Sequence, residues 1–105
     1  MNIAIEIRHL RTLKAIQETG SIVEAAERIH LTQSAISHQL KELEHRLEGP
    51  VLERKTKPLR FTPSGQRLLD LADDILPRIQ STLRDIQKMA AGQAGRLYIA
   101  IECHS

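Results

Sequence analysis

The chain reads as a mainly α protein: a head of three short helices and a small hairpin, then one long helix, then a terminal strand. Three observations predict this. Apolar residues recur at gaps of three and four through residues 7–47 and again through 68–90, the spacing of one helical face. The apolar residues are nearly all aliphatic, with no Trp, one Tyr and one Phe, which suits helices packed through Leu, Ile and Ala. Gly, Pro, Ser and Thr fall where those stretches should start and stop. The divisions expected are 1–62 for the head, 63–92 for the long helix, and 93–105 for a hinge and the first strand of a further domain.

The first helix is expected over 7–19, with Ile7, Leu10, Leu13 and Ile16 inward and Arg8, Arg11 and Lys14 outward. Gly20 stops it, because glycine takes the left-handed conformation past a helix end. Ser21 opens the second helix, and Glu24 three residues on completes a capping box. Ala25 and Ala26 are small enough to let another helix cross closely, and Ile22 and Ile29 face the core. His30 and Leu31 make a turn, and Thr32 caps the third helix.

The third helix has two faces with opposite jobs. Ile36, Leu40, Leu43 and Leu47 form its apolar stripe, while Gln33, Ser34, Ser37, His38 and Lys41 lie on the other side. Short hydrogen-bonding side chains on an outward face, next to a buried stripe, are what reading base edges in a major groove needs. A solvated amphipathic helix is the plainer alternative. Helix N-termini also bind phosphate, through free N–H groups and the positive dipole end. Ser21 and Thr32 are therefore candidates for the DNA backbone, with plain capping an equally good reading of either alone.

Gly49-Pro50 is expected to end the third helix. Val51–Glu53 and Leu59–Phe61 are short extended candidates around a basic turn, which makes a hairpin or wing with cations at its tip. The run from Arg54 to Arg60 holds Arg54, Lys55, Lys57 and Arg60 and no acid. Such a tip suits phosphate or a narrow minor groove; a solvated loop is the alternative, disfavoured here by the adjoining helix-turn-helix.

Thr62-Pro63 starts the long helix as N-cap and first helical residue. Leu68, Ala72, Ile75, Ile79, Leu83, Ile86 and Ala90 form its stripe, widened by Leu69, Leu76 and Met89. From Ser64 to Ala91 it would be ~42 Å long. A rod of that length cannot bury its stripe against a small head, so it is expected to pair with a second copy. Pro77 should bend it without dividing it. Gly92-Gln93-Ala94-Gly95 reads as a hinge; it lacks the basic centre of an RNA-clamping GxxG loop. Arg96–Glu102 alternates apolar and other residues like one strand, which needs partners from further chain.

Composition narrows the function. Fifteen Lys and Arg against 13 Asp and Glu leave a net charge of +2, so nucleic-acid binding must be argued from where the cations sit. Cys103 is the single cysteine, which suits a reducing cytoplasm. Cys103-His104 has no second ligand pair at metal spacing, and His38 and His45 stand two turns apart on one helix, so no metal is expected. The start is too short and interrupted for a secretory signal, and no apolar run approaches a membrane span. No catalytic order of Ser, His and acid, phosphate loop or carboxylate pair is present, so an enzyme is not expected. The rival to DNA binding is a helical pairing module, for instance an inhibitor built from the long helix. It leaves the polar face of the third helix and the cationic turn without a purpose.

Residues 7–92 resemble the N-terminal region of LysR-type transcriptional regulators. The matching residues are His9-Leu10, Gly20-Ser21, Ala25-Ala26, Thr32–Ser37, Gln39-Leu40, Leu43-Glu44, Leu47, Glu53-Arg54 and Arg60–Gly65. The resemblance implies a winged helix-turn-helix head, a linker helix that dimerises antiparallel to its partner, and homo-tetramers at full length. It implies base reading in double-stranded DNA by Gln33, Ser34, Ser37 and His38, with a wing around Lys57 in the minor groove. Ser21, Thr32, Lys41, Arg54, Lys55, Lys57, Arg60 and Thr62 would serve the phosphates or the wing. Leu68, Ala72, Ile75, Ile79, Leu83 and Ile86 would serve dimerisation, and RNA polymerase is a further partner expected of such a regulator. Pro58–Pro63 and Leu97–Ser105 are similar to the family's activators of methionine-biosynthesis genes, which sense homocysteine in a C-terminal domain. No cofactor is expected in this part of such a protein.

Three departures from the family pattern stand out. Glu48 occupies the usual glycine position and Gly49 follows one place late, so the third helix is expected to run one residue longer. Leu52 replaces a common Phe at the wing root. His38 stands where arginine is frequent; imidazole cannot fork onto guanine, so base preference there should be weaker or pH-sensitive.

Overall fold

The computed structural model describes residues 3–53 and 59–97, the last five by backbone alone. Four helices and one strand pair follow in the order α1 (Ile7–Thr19), α2 (Ile22–Arg28), α3 (Gln33–Leu47), β1 (Leu52–Glu53), β2 (Arg60–Phe61), α4 (Pro63–Leu97). The strands pair antiparallel, Leu52 opposite Phe61 and Glu53 opposite Arg60. The mainly helical class and the head-plus-rod plan are those expected. The wing tip, 54–58, lies outside the described residues.

The local signals act largely as the residues dictate. Gly20 takes φ 74° and its N–H donates to the Ile16 carbonyl, closing α1. Ser21 and Thr32 cap α2 and α3 by accepting from the N–H of Glu24 and Ala35. The capping box at Ser21 is only half formed: the Ser21 N–H donates to the Thr19 hydroxyl at 3.3 Å. Thr19 also donates to the Ala15 carbonyl, so that side chain bridges the end of α1 to the start of α2.

The end of α3 differs from expectation. The helix stops at Leu47, and Glu48 itself takes the left-handed conformation, φ 59°. The N–H groups of Glu48 and Gly49 donate back to the carbonyls of His45 and Glu44, a Schellman closure. Chain geometry therefore fixes the stop one place before the glycine, and a non-glycine carries the strain. His30 does the same at the end of α2, φ 59°. Left-handed backbone costs an ordinary residue about 1–2 kcal/mol. Glu48→Gly should return about 0.5–1 kcal/mol after glycine's larger entropy loss. Denaturant unfolding would read this as a raised midpoint; a lowered midpoint refutes it.

The core is aliphatic: Leu13, Ile16, Ala25, Ala26, Ile36, Leu40, Leu43, Val51, Leu52 and Leu69 are buried together. Ile22, Ile29, Leu47, Phe61 and Leu68 pack on its edge. Ile7, expected inward, is 46 % exposed. It sits at the mouth of a groove between α1 and α4, where Leu76 and Ile79 form the opposite wall. Lys14 of α1 meets Asp73 of α4 across that groove at 2.6 Å.

Helix α4 passes through Pro77 as one element and does not stop at Gly92. Its 35 residues make a rod ~52 Å long. The expected hinge at Gly92–Gly95 is thus helical, as are Arg96 and Leu97, the first two residues of the expected strand. The remainder of that strand lies outside the described residues. Leu69 and Ala72 of α4 are buried against the head, Leu68, Ile75, Leu76 and Ile79 are half-buried, and Leu83, Ile86 and Met89 are 52–63 % exposed.

Candidate nucleic-acid interface

Helix α3 is seated by its apolar side. Ile36, Leu40 and Leu43 are buried, and Leu47 packs at the core margin. The turn of about 100° per residue then carries Gln33, Ser34, Ser37, His38 and Lys41 to the opposite side, where all five are exposed. None of the five makes a side-chain hydrogen bond or ion pair with another described residue. The face holds an amide, two hydroxyls, an imidazole and an ammonium, which together offer donors and acceptors toward water or a ligand. This is the arrangement read from the spacing.

The residues assigned to phosphate divide. Thr32 is exposed, and Lys41 and Arg60 are exposed cations. Ser21 is half-buried and its hydroxyl is occupied by the Glu24 N–H at 3.3 Å. Thr62 is 9 % exposed. Its hydroxyl donates to the Pro50 carbonyl at 2.8 Å and accepts from the Gly65 N–H at 3.1 Å. Its own N–H reaches the Val51 carbonyl at 3.1 Å. Thr62 therefore ties the wing root to the start of α4, and its hydroxyl is turned inward. Arg54, Lys55 and Lys57 lie outside the described residues.

One constellation was not legible from spacing. Glu6 accepts from Arg8 and Arg46 at 2.7 and 3.0 Å, and Glu42 accepts from the same two arginines at 2.9 and 2.9 Å. Four alternating charges close a ring across α1 and α3. Beneath it His9 is 1 % exposed. Its Nδ1 accepts the Glu6 N–H at 2.9 Å, which leaves Nε2 to face the Glu42 carboxylate at 3.3 Å. Glu42 and Arg46, four apart on one helix, were the readable half. The other half needed the fold.

The ring sets an acid response. Hydrogen bonds from Arg8, then from Arg46, hold the Glu6 carboxyl down from 4.5 to about 2. The Glu42 carboxyl is also lowered, first by its hydrogen bond from His9. A carboxylate with a depressed folded-state pKa stabilises above its unfolded value and loses that contribution as pH falls through the folded one. The ring's contribution to the melting temperature should therefore hold above about pH 4.5 and drop toward pH 2, and it should be small because the Glu6 side chain is 45 % exposed. Glu6→Gln should flatten part of that drop in a pH series of thermal melts; an unchanged slope refutes the assignment.

Among the described residues, no group of three or more His, Cys, Asp and Glu could hold a metal ion. No helix among them is long and apolar enough to cross a membrane.

The chain is thus a helix-turn-helix with a wing root, followed by a rod-like helix. Residues 7–66 match the model for the bacterial regulatory helix-turn-helix proteins of the lysR family, and the chain belongs to that family. Its members are regulators, not enzymes. The chain is 50 % identical to the HTH-type transcriptional regulator MetR of Haemophilus influenzae over 101 residues, 96 % of this chain and 33 % of that protein. It is 50 % identical to MetR of Escherichia coli K12 over 96 % of this chain and 31 % of that protein. The chain thus spans about a third of the length of these two proteins. Among solved structures, the BenM_DBD/benA site 1 DNA complex matches with a TM-score of 0.76 and 31 % identity, covering 84 % of this chain and 99 % of that one. Vibrio fischeri DarR in complex with DNA matches at 0.74 and 26 %, covering 87 % and 30 %.

Proposed function

We propose that this chain is the DNA-binding head and linker helix of a cytoplasmic transcriptional regulator of methionine-biosynthesis genes. It works without catalysis, by placing α3 in the major groove of double-stranded DNA. The observation that carries this is the exposed outer face of α3, whose polar groups have no partner among the described residues while the inner face is buried. The likeness to a structure titled as a DNA complex supports it, and the likeness to MetR supports the methionine assignment.

In this reading Gln33, Ser34, Ser37 and His38 specify sequence, and Lys41, Arg60 and Thr32 position the head on phosphates. Arg54, Lys55 and Lys57 would add phosphate or minor-groove contacts from the wing tip. The exposed distal stripe of α4, with Leu83 and Ile86, pairs with a second copy. Two heads then read an interrupted dyad, since the symmetry of the site mirrors that of the protein. Tetramers, contact with RNA polymerase and homocysteine as effector belong to the full-length protein.

Selection of duplexes from a random pool tests the reading, with half-site spacing taken from the winners. Gln33→Ala should cost about 1–3 kcal/mol on the selected duplex and relax one base position. Lys57→Ala should weaken selected and scrambled duplexes alike and reduce the salt slope by about 1. Equal loss on both duplexes for Gln33→Ala removes its base-reading role.

A further inference from the structure

We propose that Glu42 is a positioning residue for base reading: its carboxylate, clasped between α1 and α3, fixes the rotation of α3 about its own axis. This rests on the DNA-binding function proposed above. The apolar side of α3 resists separation from the core, but hydrophobic contact is non-directional and tolerates a small turn. Hydrogen bonds are directional and do not. A rotation of about 10° moves atoms ~5–6 Å from the helix axis by about 1 Å, enough to spoil a base-edge hydrogen bond.

The clasp has the right placement. Glu42 stands one turn after His38, on the margin between the buried and the exposed sides of α3. One carboxylate oxygen meets Arg8 at 2.9 Å and His9 at 3.3 Å, both on α1; the other meets Arg46 at 2.9 Å. A second rung lies one turn toward the start of α3, where the hydroxyl of the buried Thr12 donates to the side-chain amide oxygen (Oε1) of Gln39 at 2.6 Å. Two directional links between the same pair of helices define a rotation, where one would define only a distance. The guanidinium partners are substantially exposed, Arg8 at 44 % and Arg46 at 33 %. Such ion pairs add little to stability, so the geometry points to alignment as their larger effect.

The test compares the 105-residue chain with Glu42→Ala, Glu42→Gln and Thr12→Val. Each is titrated against the pool-selected duplex and a scrambled one, across salt concentrations. For Glu42→Ala the selected-over-scrambled affinity ratio should fall about tenfold, with scrambled affinity and salt slope unchanged. Glu42→Gln keeps an oxygen for the His9 N–H and should fall by about a third of that on a logarithmic scale. A lowered melting temperature with an unchanged ratio shows a mere staple and overturns the inference. Should Glu42→Ala not fold, an unchanged ratio in both Glu42→Gln and Thr12→Val overturns it equally. If the unsubstituted chain does not distinguish the duplexes, the DNA reading itself fails and takes the inference with it.

Discussion

Leu40→Ala should lower unfolding free energy by about 2–5 kcal/mol, the usual range for emptying a leucine site in a close-packed core. Leu40 is 1 % exposed and belongs to the cluster that joins Ile36 and Leu43 of α3 to Leu13 and Ile16 of α1. That loss is a large share of the roughly 5–15 kcal/mol that holds a domain folded. Urea unfolding should show a lower midpoint with the slope kept, the sign of lost stability without a changed unfolded state. Gln33, on the opposite side of the same helix, is exposed, and Gln33→Ala should leave the midpoint almost unmoved. A loss below about 1 kcal/mol for Leu40→Ala would mean that this side of α3 is not the buried one, and the exposed face would then be wrongly assigned.

Gly65→Ala should destabilise by about 1–3 kcal/mol or more, through overpacking. A Cβ at Gly65 would overlap the Val51 carbonyl oxygen and stand 3.1 Å from the Val51 carbonyl carbon and 3.2 Å from Phe61 Cδ1. The Phe61 ring can turn aside. The Val51 carbonyl cannot do so cheaply, because it accepts the Thr62 N–H that holds the wing root to α4. Gly49→Ala is the control: nothing lies within 4 Å of its Cβ position, so its effect should stay within about 0.5 kcal/mol. Thermal melts of the two variants give the comparison. Equal melting temperatures would show that the Val51 backbone and the start of α4 are not in close approach.

Much of this architecture was legible because its signals are local. Gly20, Ser21 and Thr32 each act within a few residues of their own position, and the stripe of α3 is set by helical spacing alone. The same spacing separated Gln33, Ser34, Ser37 and His38 from the core. Signals weaker than helix continuity were overread. Gly92 and Gly95 suggested a hinge, yet glycine costs a helix only about 1 kcal/mol against alanine, and α4 continues to Leu97. Glu48 was expected to extend α3 to reach a glycine. The closing hydrogen bonds to Glu44 and His45 instead accept a non-glycine in the left-handed position. What spacing could not supply were the links between elements distant in sequence. Glu6 and Arg46 are forty residues apart, Thr12 and Gln39 twenty-seven. The close approach of Gly65 to Val51 likewise depends on how the wing root folds back. The cap position of Thr62 is local and legible, but the bond from its hydroxyl to the Pro50 carbonyl, which turns it away from phosphate, spans twelve residues and depends on the fold.

The bare outer band of α4 at Leu83, Ile86 and Met89 bears on dosage. If, as proposed above, two copies pair through it, the paired form is bimolecular, and in dilute protein its amount follows the square of total concentration. Halving the number of molecules then leaves about a quarter of the pairs, and a cell could set the steepness of its response through expression level alone.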